Sequence, residues 1–228
     1  MSIYVSKSHR EKRLITGQQI CFGRYYSYRE GNTTTCATSR NVKTRTQFTQ
    51  AIFDMKLTNF PILIPAFTAQ IAINDPLIIS SNLLNIPFIP GVGTLVSEPG
   101  YEPSLKATFI QGSDFLRRDP DGQWVKLEVS SVARDISGAM FRFSYNGVVD
   151  MEGDEGKVIR GDENATTTGF GNAFIQIRFE TDAPGLKLLQ DKVYVGSGRF
   201  IVEEDHPVVV EYKISEVSAQ CNKKTKSG

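Results

Sequence analysis

Three side chains have types and spacing that allow chemistry: Asp114 in "IQGSDF", and Arg178 with Glu180 in "AFIQIRFE". A carboxylate that follows a strand-kinking glycine, Gly112, and sits against Phe115 can be partly desolvated. Desolvation raises its pKa toward the range useful for proton transfer. A turn aspartate accepting backbone N–H bonds is the plainer alternative. Read with period two, Gln176, Arg178 and Glu180 share one strand face, while Ile175, Ile177 and Phe179 share the other. In a closed barrel the polar row can line a cavity, where Arg178 would hold an enolate or carboxylate while Glu180 or Asp114 moves a proton. On an outer face the same pair is a rim ion pair that adds little. Trp124, the only tryptophan, and Tyr145 are candidates for an aromatic wall against a hydrophobic substrate, with plain core as the alternative. Phe143 shares the face of Tyr145, and Arg142 shares the opposite face.

The elements that must position these residues are strands. From Ala66 onward the segments "AFTAQIAI", "SLKATFIQ", "QWVKLEVSSVAR", "GAMFRFSYNGVV", "AFIQIRFE", "KVYVGSGRFIV" and "PVVVEYKISEV" alternate or run apolar at strand length. Turn chemistry separates them at "DPDG", "DISG" and "GDEG". No run keeps a helical period over about eleven residues. Many short strands joined by tight turns predict an all-β fold, an antiparallel sandwich or barrel. "GSGR", Gly196 to Arg199, lacks the lysine and helix of a phosphate loop and reads as a bulge or turn.

Composition excludes several classes. The chain has 228 residues, a net charge of +1 and 22% charged residues, which suits one large domain or a domain with extensions. Residues 1–58 carry ten Lys/Arg against three Asp/Glu, leaving 16 against 22 in the remainder. This front segment is basic and Thr-rich, with short strands expected at 19–28 and 46–55. Its charges are scattered without a nucleic-acid motif, and the Tyr25, Tyr26, Tyr28 cluster reads as strand packing rather than a stacking platform. Cys21, Cys36 and Cys221 are odd in number and lack a C-x-x-C pair. With only His9 and His206 to assist, no metal site is expected. His206 in "EEDHP" is expected to face solvent. The amino terminus has no apolar signal core, and the apolar region 60–79 is broken by prolines, Asn74 and Asp75, so neither secretion nor a membrane span is expected. A cytoplasmic setting follows as the default, and the sequons at Asn32 and Asn164 carry little meaning there.

Four segments carry a resemblance to a known family: "IPFIPGVGT", "LKATFIQGSDFLRRDPDG", "RFETDAPGLKLLQDKVYVGSGRF" and "VVVEYKISEV". In their order and spacing the chain from about Ala66 to Val217 resembles domain-of-unknown-function family 3237. The resemblance implies a closed antiparallel β-barrel with a central cavity, similar in outline to lipocalin-like and allene-oxide-cyclase-like barrels. It also implies kinship with fungal proteins of secondary metabolism, where cofactor-free barrels act as isomerases or cyclases. Two positions depart from the family pattern. Ser130 stands where an arginine is usual, a place Arg142 or Arg178 would have to fill, and Leu188-Leu189-Gln190 replaces a Trp-Leu-Asn segment.

The sequence therefore predicts a closed antiparallel β-barrel over 59–218, an irregular basic extension over 1–58 and a disordered basic tail over 219–228. The expected activity is isomerisation or cyclisation, pericyclic chemistry included, of a hydrophobic, oxygenated small molecule without a cofactor. Asp114, Glu180 and Arg178 are the catalytic candidates, and Trp124, Arg142, Tyr145, Phe143 and Gln176 the binding candidates. A non-catalytic carrier barrel is the alternative. No nucleic acid or membrane partner is expected. Strands that are apolar on both faces need cover, which points to a homodimer.

Overall fold

The computed structural model describes residues 59–220. The expected extension 1–58, with its two short strands, the tyrosine cluster, His9, Asn32 and two of the cysteines, lies outside these residues, as does Cys221. Ten strands make one sheet: β1 (Pro61–Ala72), β2 (Leu77–Ser80), β3 (Leu83–Pro87), β4 (Thr94–Ser97), β5 (Lys106–Arg118), β6 (Trp124–Asp135), β7 (Met140–Asp150), β8 (Ala173–Glu180), β9 (Val193–Ile201) and β10 (Val209–Ala219). Every pairing is antiparallel.

The sheet closes on itself. From β1 the order runs β10, β9, β8, β7, β6, β5, and β5 returns to β1 through β4. β4 pairs with the first residues of β5 and β3 with its last, so two short strands share one wall position and the barrel has eight staves. β2 hangs from β3 as an outer ribbon. Closure removes the open edges that an eight-stave sheet would otherwise expose. The seven longer strands are those that the sequence predicts. β2, β3 and β4 are additional, hidden in the proline-broken stretch 77–97.

Two local readings are corrected. "GDEG" is the start of a helix rather than a hairpin turn: α1 (Asp154–Arg160) begins after Gly153 and ends at Gly161 in the left-handed region, φ 73°. Its seven residues are too few to display a helical period. "GSGR" is continuous strand within β9, and its glycines make room inside the barrel. A Cβ at Gly198 would lie 2.5 Å from the Tyr212 ring, and one at Gly196 would lie 3.0 Å from Ile175. No helix among the described residues is long and apolar enough to cross a membrane.

Side chains fill one half of the barrel. Phe67, Phe109, Phe141, Phe143, Phe179 and Tyr194 form a continuous ring stack, with neighbouring centroids 5.4 to 5.9 Å apart and Phe179–Tyr194 at 5.2 Å. Tilted and edge-to-face pairs of this kind add about 0.5–1.5 kcal/mol each beyond the area they bury. Tyr101 caps this end. Its ring packs edge-on against Phe67 at 5.0 Å, and its hydroxyl donates to Glu216 Oε2 at 2.6 Å. Lys192 closes the group with an ion pair to Glu216 at 2.9 Å. Burial raises the pKa of Tyr194 to about 12, so that its phenol stays neutral beside Tyr101.

Because Phe179 touches four other rings, Phe179→Ala is expected to lower stability by about 3–5 kcal/mol in urea unfolding. Glu180→Gln, one residue away on the opposite face, should leave the unfolding midpoint nearly unchanged. Equal effects from the two would refute the assignment of inside and outside on β8.

Candidate functional site

The other half of the barrel is hollow. A cavity of about 670 Å³ opens at the end where β1 and β5 finish and β6 and β10 begin. Its walls are largely aliphatic, with Ile71, Leu84, Ile86, Leu116, Leu127 and Val210 among them, and Phe88 stands against the ring stack through Phe109 at 5.9 Å. Residues of α1 and the segment around His206 line it as well.

One irregularity decides which polar groups enter this space. At the start of β5, Ala107 and Phe109 point inward. The pairing with β6 then slips between Phe109 and Gln111, a bulge that uses one extra residue. A one-residue shift inverts the alternation of everything that follows. Gly112, Asp114, Leu116 and Arg118 therefore face the interior, and Ser113, Phe115 and Arg117 face out. Gly112 is required as well, since a Cβ there would lie 2.7 Å from the Phe88 ring.

Asp114 is 9% exposed and lines the cavity. Its Oδ1 accepts the Glu128 backbone N–H at 3.1 Å. Among the described residues Oδ2 has no hydrogen-bond partner. Burial pushes the Asp114 carboxyl up to about 7; the Glu128 N–H opposes the rise and the Glu128 carboxylate adds to it. A carboxyl that titrates near neutrality can both take and return a proton.

Two phenols face the same space. Tyr145 from β7 and Tyr212 from β10 line the cavity with their rings edge to face, centroids 5.2 Å apart. Burial raises both pKa values well above the ordinary tyrosine range; their mutual interaction and the nearby Asp114 raise Tyr145 further, and Asp114 does the same for Tyr212. Both phenols therefore stay protonated and act as hydrogen-bond donors. Together the three groups can move a proton at one point and hold developing negative charge at another.

The remaining candidates fall elsewhere. The expectation that Gln176, Arg178 and Glu180 line the barrel interior is corrected: all three are exposed on the outside of β8, where with Arg142 they border a separate surface pocket of about 600 Å³. The cause is the row opposite them, because Ala173, Ile175, Ile177 and Phe179 fill the interior and the period of two sends the polar row out. Arg142 is on the outer face too, 2.6 Å from Glu180 in an exposed ion pair. It also donates to Ser130 at 3.2 Å, so it does not supply a cation inside the barrel. Trp124 is 41% exposed and takes no part in the cavity wall. Phe143 is inside but belongs to the solid half, beneath Tyr145 at 5.8 Å. His206 is exposed at the cavity, and its Nδ1–H donates to the Glu204 carbonyl, 2.8 Å away.

The sequence reading missed Tyr212 and Arg118. Tyr212 was signalled by its parity with Val210 and Ile214 on β10, whereas Arg118 was masked by the bulge. No group of three or more His, Cys, Asp or Glu side chains placed to hold a metal ion occurs among the described residues.

Comparison with known proteins agrees with this architecture. A conserved protein of unknown function from Rhodopseudomonas palustris is 21% identical, with 71% of this chain and 99% of that one aligned and a TM-score of 0.56. A β-barrel-like protein from Acinetobacter baumannii AYE is 20% identical, with 72% and 100% aligned and a TM-score of 0.51. A protein of unknown function from Clostridium acetobutylicum is 19% identical over 68% of this chain and 99% of that one, with a TM-score of 0.51. At such identities the likeness concerns the fold alone. No curated protein matches the chain. The family model for proteins of unknown function DUF3237 matches residues 61–217, the whole barrel but for its last two residues, and the chain belongs to that family.

Proposed function

We propose that the barrel is an isomerase or cyclase for a hydrophobic, oxygenated small molecule of secondary-metabolite type, working without a cofactor. The observation that carries this reading is the placement of Asp114, titrating at about 7, on the wall of an apolar cavity beside two neutral phenols. A cavity of about 670 Å³ with largely aliphatic walls suits a drug-sized molecule.

The chemistry that fits is proton shuttling next to a carbonyl. Asp114 in its ionised form takes a proton from the carbon α to the carbonyl. The C–H electron pair becomes the enolate double bond, and the negative charge moves to oxygen. Tyr145 and Tyr212 donate hydrogen bonds to that oxygen; their neutrality matters, because a phenolate would repel it. In a β,γ-unsaturated substrate the enolate is a conjugated dienolate, and protonated Asp114 returns the proton to its γ carbon, which moves the double bond to the α,β position and restores the carboxylate. A pericyclic ring closure would use the same phenols to polarise the carbonyl and the same walls to hold a reactive conformer. A carrier role would need the walls but gives no purpose to a carboxyl held near neutrality.

Two expected outcomes follow. In D2O, wild-type protein should accelerate deuterium exchange α to the carbonyl of 1-tetralone, read by mass spectrometry. Asp114→Asn should lose about 10²–10⁴-fold of that acceleration, while Glu180→Gln keeps it. Exchange that is equal in wild type and Asp114→Asn would contradict the shuttle and leave the carrier.

The second outcome concerns stability. A carboxyl whose folded pKa lies above its unfolded value stays protonated in the native state while the unfolded chain ionises, so stability falls as pH rises from about 4 to about 7. Asp114→Asn removes this dependence. Its melting temperature should exceed that of wild type at pH 8, and the advantage should shrink toward pH 4. An advantage independent of pH would show that Asp114 titrates normally.

A further inference from the structure

The cavity contains one charged group that the proposed proton transfer does not use. Arg118 lies four residues beyond Asp114 on β5, in the same inward row, and lines the same space. Its Nε is buried without a hydrogen-bond partner. Nor does its guanidinium form an ion pair with any described residue. The backbone beneath it is fixed, with the Arg118 N–H donating to the Asn82 carbonyl at 2.9 Å.

The other cavity-lining groups that could serve an anion are already committed or exposed. Arg160 donates to the Met151 carbonyl at 3.3 Å and lies 3.6 Å from Asp162. His206 is tied to the Glu204 carbonyl. Asp75, the remaining carboxylate on the lining, is exposed and does not pair with Arg118. The Arg118 Nε–H, removed from water at the wall of a largely aliphatic cavity, carries a desolvation cost that native structures offset with a partner.

We propose that the missing partner is the ligand, and that the substrate is an amphipathic organic acid whose anionic group is bound by Arg118. The inference rests on the cavity being the reaction site. It adds a polarity to that site, with the acid at Arg118 and the reacting carbonyl at Asp114, Tyr145 and Tyr212. Four residues of strand separate the two stations by about 13 Å. With the two side chains anchored this far apart on one strand, the acid and the carbonyl are placed at separate points of the substrate. A guanidinium suits a carboxylate because its parallel N–H donors match the two oxygens.

The test uses the fluorescent neutral probe N-phenyl-1-naphthylamine, displaced in parallel by decanoate and by decan-1-ol. Wild type should prefer decanoate by about tenfold or more, the scale of a charge-assisted hydrogen bond. Arg118→Gln should bind the probe and decan-1-ol unchanged and lose the preference for decanoate. Arg118→Lys should keep most of it, which guards against a glutamine variant that does not fold. Equal displacement by acid and alcohol in wild type would overturn the inference while leaving the cavity as a site. So would a decanoate preference that survives in Arg118→Gln. Failure of wild type to bind the neutral probe would overturn the cavity reading and this inference with it.

Discussion

A barrel has one inside, and the alternation of side chains along each strand decides what enters it. In this protein that alternation is interrupted at a place that decides the cavity's charge, the bulge between Phe109 and Gln111 on β5. Before the bulge the strand contributes Phe109 to the ring stack; after it the strand contributes Asp114 and Arg118 to the cavity. Without the extra residue the inward row would be Gln111, Ser113 and Phe115, and the cavity would have neither its carboxylate nor its guanidinium. One strand thus serves both halves of the barrel, supplying packing to one and charged groups to the cavity of the other.

The two halves depend on each other energetically. Holding a carboxyl in an apolar space costs stability at neutral pH, by an amount set by the distance of its pKa from the ordinary value. The solid half offsets that cost. Its six stacked aromatic residues interlock across β1, β5, β7, β8 and β9, and the Tyr101–Glu216–Lys192 group seals the end opposite the cavity. Rigidity passes directly to the site, because Phe143 supports Tyr145 and the bare backbone of Gly198 accepts the ring of Tyr212.

Much of the architecture was legible in the sequence because strand periodicity is local. All seven long strands could be read from alternation and turn residues, which left sandwich and barrel open; closure into a barrel was implied by the family resemblance. The short strands β2 to β4 could not, since their prolines and continuous apolar runs carry no period. The site was legible only in part. Asp114 was found through its glycine and aromatic neighbours, and Tyr145 through its face. The Gln176, Arg178, Glu180 row was read toward the cavity because two faces of one strand look alike until the apolar row opposite is known to fill the interior. Arg118 escaped because its direction depends on a bulge, and a bulge is set by pairing with another strand rather than by its own residues.

The central claim is that Asp114 is an interior carboxyl held near neutrality. A carbon-13 NMR titration of the aspartate side-chain carboxyls, with Asp114→Asn used to assign the resonance, measures this directly. The account predicts a midpoint at about 7 for the resonance that the substitution removes. A midpoint at about 4, the ordinary aspartate value, would contradict it.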